Sequence, residues 1–261
     1  MACVPSMEVP VRVQFAACRA ALLFTFVLVA ATLGCEQPAP DRWSRTAGPC
    51  EPALGSRDAL EGGLVDAPCL EAISNDFAVD EASFSADNLS CVQAGLLELF
   101  SRPAGTVSEL EQSDAVRGPF LRLMRRQARL QGTDDLRQVA YNLASTQVSA
   151  MRSATFAEAD WRAAFDPDTA EILVRDPLGG ACDVDASLVL FHEAMHGVAP
   201  PHVDCPDNPD DACDRTWRGS YGLQAGLAER LLASCDPETE PERCAIIELS
   251  LEHATASVIR D

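Results

Sequence analysis

One run of residues constrains this chain more than any other part of its sequence. Residues 188–191 (Leu-Val-Leu-Phe) are apolar on every side of a helix, which is typical of a helix buried from all directions. Residues 192–196 (His-Glu-Ala-Met-His) then add two imidazoles and a carboxylate to the same helix. Buried polar groups are costly unless each has a partner. The fold must therefore bring a partner to this helix, which we predict to span residues 186–196.

The spacing of the two histidines indicates that this partner is a metal ion. Residues four apart lie one turn apart on the same helix face, so His192 and His196 can bind one ion together. Glu193 lies beside the first ligand, where its carboxylate can take a proton from metal-bound water. Two imidazoles with a neighbouring carboxylate base are typical of a catalytic Zn²⁺ site. The sequence therefore predicts Zn²⁺, with Glu193 as the general base.

The segment after the motif helix offers a third ligand. Gly197 is placed to end the helix in a left-handed conformation, and Pro200 and Pro201 then stiffen an extended connection. This connection leads to His202, three residues before the first cysteine of a short, acidic loop. An imidazole in that position has few other roles, so we favour His202 as the third metal ligand.

Residues 192–202 resemble the H-E-x-x-H-x-x-G-x-x-H signature of the metzincins, a clan of zinc peptidases. Two features differ: Ala199 stands at the glycine of the signature, and no methionine follows Met195, so the Met-turn of that clan is missing. The resemblance implies a zincin-like α+β fold, rich in helix, with an active-site helix and a small sheet. It also implies hydrolysis of peptide bonds in a peptide or protein substrate.

The resemblance suggests further roles for particular residues. In the gluzincin arrangement a glutamate on a later helix is the third ligand, and Glu229 is the alternative to His202 on that basis. Zinc peptidases of this type often use a tyrosine to stabilise the oxyanion, and Tyr221 is our candidate. The strand predicted at 170–174 would be the edge that pairs with an extended substrate. His253, on the last helix, is expected to pack or to support the site without binding the metal.

Most of the remaining chain has the periodicity of helices. Apolar residues recur with helical spacing, and turn residues separate the segments. The predicted helices, besides the motif helix, span residues 82–100, 119–131, 135–152, 223–234 and 245–259. With 47% hydrophobic residues the composition is globular, and the length suits one domain. We therefore predict a single helix-rich α+β domain over residues 61–261.

The N-terminus is typical of an export signal. Arg12 and Arg19 precede an uncharged apolar run over residues 20–33, which is shorter than the roughly 20 residues of a membrane-spanning helix. Gly34 and Cys35 then resemble a bacterial lipobox, whose cysteine carries a lipid. We predict a lipoprotein-type signal peptide over residues 1–34, membrane attachment through Cys35, and a proline-rich tether over residues 35–60.

The cysteines and the charge agree with export. Beyond Cys35 the chain has eight cysteines, an even number that favours pairing in an oxidising compartment. The short loops predict disulfides Cys205–Cys213 and Cys235–Cys244, whereas Cys50–Cys69 and Cys91–Cys182 are one of several arrangements left open by the spacing. The net charge of −20 argues against nucleic acid as a partner.

The sequence therefore predicts an exported, disulfide-bonded, zinc-dependent peptidase, expected to be a lipid-anchored monomer. The alternative is a non-catalytic, zincin-like lipoprotein that binds a metal or a partner at the cell surface. A third possibility is a structural lipoprotein in which the motif is coincidental, and this one predicts no bound metal. Glu193 favours the enzyme, because a structural metal site has no use for that carboxylate.

Overall fold

The computed structural model describes residues 42–46, 49–50, 65–111, 117–157, 161–179, 182–208 and 211–259, and these residues form eight α-helices and two small sheets. All of these residues belong to one unit, residues 40–261. The helices are α1 (Arg42–Thr46), α2 (Ala67–Asp76), α3 (Ala86–Ser101), α4 (Arg117–Gln131), α5 (Leu136–Thr146), α6 (Val184–Met195), α7 (Ser220–Ala233) and α8 (Pro241–Ala256). The predicted helix-rich α+β class is confirmed.

The strands form a three-stranded sheet and a short hairpin. The strands are β1 (Ala150–Ala154), β2 (Ala163–Asp166), β3 (Glu171–Arg175), β4 (Val203–Asp204) and β5 (Ala212–Cys213). The larger sheet has the order β1-β3-β2, with β1 parallel and β2 antiparallel to β3. Strands β4 and β5 pair antiparallel, with Val203 opposite Cys213.

The motif helix α6 is the centre of the core. It packs against α3, α7 and α8, and its remaining side faces β2. Leu188, Leu190 and Phe191 are fully buried, as the apolar run predicts. Helix α3 comes so close that a Cβ at Gly95 would lie 2.8 Å from the Ala186 Cβ, so the contact requires a glycine there. The helix with the histidines is therefore held from several directions.

The predicted strand at 170–174 corresponds to β3, but its predicted role as a sheet edge is wrong. Strands β1 and β2 pair with its two sides, so β3 is central. The outer side of β1 is also occupied, because Asp80 N donates to Met151 O (2.8 Å) and Met151 N donates to Ala78 O (3.1 Å). Among the described residues no strand pairs with the outer side of β2, so β2 is the open edge of this sheet, and it lies beside α6.

Helix α5 is shorter than predicted. It ends at Thr146, and the last residues of the predicted 135–152 helix form β1 instead. Residues 150–154 pair in parallel with residues 171–175 over the whole length of β1. Pairing with a distant strand thus overrides the local helical periodicity of this segment.

Part of the predicted tether belongs to the folded unit. Trp43, in α1, stacks on Phe100 with ring centroids 4.3 Å apart, and the buried Thr46 hydroxyl donates to the Asp76 carboxylate. The domain described by the structure therefore begins no later than Arg42, ahead of the predicted start at residue 61. The predicted signal peptide 1–34 and the lipidated Cys35 lie outside the described residues.

Four disulfides cross-link the described part of the chain. The predicted pairs Cys205–Cys213 and Cys235–Cys244 are confirmed, and Cys50–Cys69 and Cys91–Cys182 are the other two. The Cys91–Cys182 bond joins α3 to the segment just before α6. Four disulfides indicate an oxidising environment outside the cytoplasm. No helix in the described ranges combines the length and apolar character needed to cross a membrane.

Candidate metal centre

Three of the predicted site residues meet at one point. His192 and His196 come from the end of α6, and His202 follows six residues later; their ligand atoms all lie within 4.8 Å of one another. Among the described residues this is the one group of three or more metal-ligating side chains with such spacing. His192 is buried and the other two are half-buried, so the group is open on one side.

The turn after α6 differs from the prediction. Gly197 N donates to Ala194 O (3.2 Å) and Ala199 N donates to Met195 O (2.8 Å), so the right-handed turn continues and tightens beyond the helix. Gly197 is not among the described residues with a positive φ, and the predicted left-handed helix end is therefore wrong. Glycine is needed for packing instead, because a Cβ at Gly197 would lie 2.9 Å from the Gln147 Cβ.

Alanine fits at the signature's glycine position because this turn contains no left-handed residue. Ala199 is also outside the set of described residues with a positive φ, so its Cβ meets no left-handed strain. After His202 the chain forms the hairpin of β4 and β5, which the Cys205–Cys213 disulfide closes. Because Val203 pairs with Cys213, the next rung of this hairpin places His202 opposite Asp214.

Each histidine ring uses its Nδ1 atom for a hydrogen bond with a buried side chain. For His192, His196 and His202 these partners are, in order, Gln224 Oε1 at 2.9 Å, Ser220 Oγ at 3.1 Å and Asp214 Oδ1 at 2.8 Å. The three partners are 5%, 0% and 1% exposed. Metal-ligating histidines are oriented in this way, with one nitrogen on the metal and the other on a protein group. The Nε2 atom of each ring is thus the one available to bind a metal ion at the point where the three rings meet.

The hydrogen bonds also fix where two of the ring protons lie. The Gln224 carbonyl oxygen and the Asp214 carboxylate only accept, so Nδ1 carries the proton in His192 and in His202. In a neutral ring with this proton on Nδ1, the Nε2 atom carries a lone pair. The Nε2 atoms of His192 and His202 are 3.3 Å apart. Metal–nitrogen bonds of about 2.0–2.1 Å in a tetrahedral site separate two nitrogens by roughly 3.3 Å. The spacing of this pair therefore suits two nitrogen ligands of one metal ion.

Burial keeps the imidazoles of His192 and His196 neutral, which is the form that binds a metal. The pKa of His192 is held well below its usual value, first by burial and then by the neighbouring His196 and His202. The pKa of His196 falls to about 4, again mainly because of burial. Near neutral pH neither ring has to lose a proton before it can coordinate.

Glu193 lies next to this group. Its Oε2 is 3.8 Å from His196 Nε2, and the residue is 8% exposed. Burial raises the pKa of Glu193 to about 8, and the Phe165 backbone N–H opposes that rise. Phe165 belongs to β2, and its ring stacks on His196 with centroids 6.1 Å apart. The edge strand therefore contacts both the base candidate and a candidate ligand.

Tyr221 packs against two of the three histidine rings. Its ring centroid is 4.4 Å from that of His192 and 4.8 Å from that of His202, on which it stacks. Burial, followed by the Glu193 and Asp214 charges, raises the pKa of Tyr221 to about 12, so the phenol keeps its proton near neutral pH. The fourth histidine, His253, is exposed and lies 5.7 Å from the Tyr221 ring.

Glu229, the alternative third ligand, is not a member of the group. It is on the same helix as Gln224, but five residues further on, which turns it by about 140° around the helix axis. There it lines a separate cavity of about 80 Å³ together with Glu109, Phe120 and Arg230. The structure thus brings together His192, Glu193, His196, His202 and Tyr221, and it places Glu229 elsewhere.

Three residues of the site were missed in the sequence: Asp214, Ser220 and Gln224. The available signal is that Ser220 and Gln224 are polar residues four apart in the otherwise apolar stretch 220–228, the same spacing as the two motif histidines. The only sequence trace of Asp214 is the glycine at position 219. The structure explains this glycine, because a Cβ there would overlap the Asp214 carboxylate.

The fold and the site together define a disulfide-bonded, helix-rich α+β domain with a three-histidine group able to hold a metal ion. Comparison with protein-family models, with curated proteins and with solved structures finds no match to this chain. The functional argument therefore depends on the geometry of the site.

Proposed function

We propose that this protein is an exported zinc-dependent peptidase of the zincin type. The observation that carries the proposal is the convergence of the three Nε2 atoms beside Glu193, with every Nδ1 atom held by a buried partner. His192, His196 and His202 would hold the zinc. A site built only to bind a metal has no use for an uncoordinated carboxylate at this position.

The catalytic roles follow from where the side chains lie. Zinc, when bound, would acidify a water molecule and polarise the substrate carbonyl. Glu193 accepts the proton of the attacking water as its oxygen adds to the carbonyl carbon, and later gives that proton to the amine as the C–N bond breaks. The Tyr221 hydroxyl donates a hydrogen bond to the substrate oxygen on which negative charge develops. The raised pKa of Tyr221 keeps that hydrogen in place.

Strand β2 supplies a surface for a peptide substrate. Arg175 N donates to Arg162 O (2.8 Å), so alternation along an antiparallel pair turns the N–H and C=O groups of Ala163 and Phe165 away from β3. The Phe165 N–H faces Glu193, and the groups of Ala163 remain for an added strand. An extended peptide that pairs with this edge passes beside the histidines. The edge role expected for residues 170–174 therefore passes to β2.

The proposed location combines the disulfides with the N-terminal sequence. Four disulfides support a location of the protein outside the cytoplasm. We propose that Cys35 carries a lipid that anchors a monomeric domain to the bacterial cell envelope. The net charge of −20 argues against nucleic acid as a partner.

The catalytic part of the proposal is tested with Glu193→Gln. This variant keeps the size of the side chain but cannot accept a proton, so it should retain zinc and lose hydrolysis of a broad peptide library by at least about 100-fold. Exposed Glu242→Gln, on α8, is the control and should leave the rate unchanged. If the zinc-loaded wild type cleaves no peptide, the protein is the non-catalytic surface lipoprotein. If Glu193→Gln is as active as the wild type, Glu193 is not the base.

A further inference from the structure

Asp214 has two acceptor oxygens, and each is committed to a different N–H group. Oδ1 lies 2.8 Å from His202 Nδ1, and Oδ2 accepts from the Gly222 backbone N–H at 3.0 Å. Gly222 is in the first turn of α7, where backbone N–H groups have no partner within the helix. The N-cap residue, Gly219, has no side chain that could serve. Asp214 therefore caps α7 while it holds His202.

The Asp214 side chain is fixed in this position. Its backbone N donates to Ser257 O (2.8 Å) and its O accepts from Ile259 N (2.9 Å), which ties it to the end of α8. The preceding residue, Cys213, is in a disulfide. The carboxylate occupies the space that a Cβ of Gly219 would take, and the residue is only 1% exposed. Water cannot replace either hydrogen bond at such a site.

We propose that Asp214 is a positioning residue that keeps the proton of His202 on Nδ1 and so presents Nε2 to a metal ion. This inference rests on the metal-binding part of the proposed function. It does not depend on peptidase activity. Asp214 itself touches neither the metal point nor a substrate, and it acts through the tautomer and orientation of His202.

An asparagine at this position would have the same shape and the wrong chemistry. It offers one acceptor and one donor where two acceptors are required. The Gly222 N–H can only donate, and leaving it unsatisfied in a buried site costs more than moving a proton within an imidazole. The asparagine oxygen therefore turns to Gly222 and its NH₂ group to His202. Nδ1 of His202 must then accept, which moves the proton to Nε2 and blocks coordination.

The test is Asp214→Asn in the full-length protein, with Asp211→Asn as the control. Asp211 is an exposed acid on the same hairpin, and its carboxylate accepts from Asn208, so the control removes an equal charge without touching His202. Zinc affinity is measured by competition with a chelator. We expect a loss of about 10- to 100-fold for Asp214→Asn, the usual effect of removing a partner of a metal-bound histidine. The Asp211→Asn affinity should stay within about twofold of wild type.

A second measurement reads the proton directly without metal, and its wild-type part does not depend on a variant that folds. Long-range proton–nitrogen NMR correlations of the metal-free wild type should show His202 protonated on Nδ1 alone, and Asp214→Asn should show it on Nε2. His202 protonated on Nε2 or on both nitrogens in the wild type overturns the inference. So does wild-type zinc affinity in Asp214→Asn while the wild type binds zinc. A wild type that binds no zinc overturns the proposed function and, with it, this role of Asp214.

Discussion

The Nε2 atoms of His192 and His202 lie 3.3 Å apart, although one residue is in a buried helix and the other follows a proline-rich turn. Both rings hold their Nδ1 proton in a hydrogen bond, so two lone pairs face each other in the neutral rings. Such an arrangement is unfavourable unless a cation lies between them.

The third ligand is tested by comparing two alanine variants. His202→Ala removes one of the three converging nitrogens, so zinc affinity should fall by at least about 100-fold. Glu229→Ala changes a residue in a separate cavity and should leave zinc affinity within about twofold of wild type. Equilibrium dialysis of both variants gives the answer. Loss of zinc in Glu229→Ala with retention in His202→Ala would reverse the assignment.

Tyr221→Phe tests the oxyanion contact. Removing the hydroxyl should lower kcat by about 100-fold with little change in KM, because the hydrogen bond forms in the transition state. The chain's other tyrosine provides a matched control. Tyr141 is buried away from the site and donates to Asp76 Oδ2 (3.0 Å), so Tyr141→Phe should lower stability by about 1–2 kcal/mol and leave kcat unchanged. A wild-type kcat in Tyr221→Phe would remove the phenol from the mechanism.

The Cys205–Cys213 disulfide should matter for the metal as well as for stability. It closes the hairpin that places His202 opposite Asp214. Replacing both cysteines with serine should therefore lower zinc affinity by about 10-fold, since the free hairpin has to be ordered upon binding. Replacing Cys235 and Cys244 opens a loop of similar length between α7 and α8.

This second double variant is the control, and it should lower the melting temperature of the protein without lowering zinc affinity. Titration of the two variants with zinc, after melting curves have shown that both fold, distinguishes the effects. Equal zinc affinities in the two variants would contradict the proposed link between the hairpin and the metal centre.

Glu98 should make stability fall as the pH rises. This carboxyl is buried between α3 and α8, where it contacts the Arg243 guanidinium, and burial outweighs that charge and raises its pKa from 4.5 to about 7. Between these two values the folded carboxyl holds a proton that the unfolded chain has lost, so its stabilising contribution is present below about pH 4.5 and decreases towards pH 7.

The variant Glu98→Gln removes this dependence. The change in unfolding free energy between pH 5 and pH 8, measured by urea titration, should differ between wild type and variant by roughly 1–3 kcal/mol. Asp87→Asn, an exposed change on the same helix, should leave the wild-type slope intact. A variant slope equal to that of the wild type would show that Glu98 does not titrate in this range.

The features that local sequence determines were predicted well. The motif helix, expected at 186–196, spans 184–195, and the strand expected at 170–174 spans 171–175. In both cases the pattern of apolar residues is continuous and turn residues mark the ends. The three histidines were predicted for a similar reason, since the spacing of His192 and His196 on one helix face needs no information from the rest of the chain.

The features that depend on distant pairing were not predicted. Residues 150–152 have helical periodicity, yet they pair with a strand about 20 residues further along the chain. The position of β3 in the middle of its sheet is likewise a property of its neighbours. Asp214 gains its role because the hairpin pairs it with His202, and Gln224 gains its role because α7 packs against α6. Sequence spacing alone also left the Cys91–Cys182 pairing open.

The central claim is that this chain holds a zinc ion between His192, His196 and His202. Metal analysis of the purified full-length protein by mass spectrometry tests it most directly. We predict about one zinc ion per chain in the wild type, and a large loss in His202→Ala at an unchanged fold. A wild-type protein that is folded, disulfide-bonded and free of any stoichiometric divalent metal after exposure to zinc would contradict the claim.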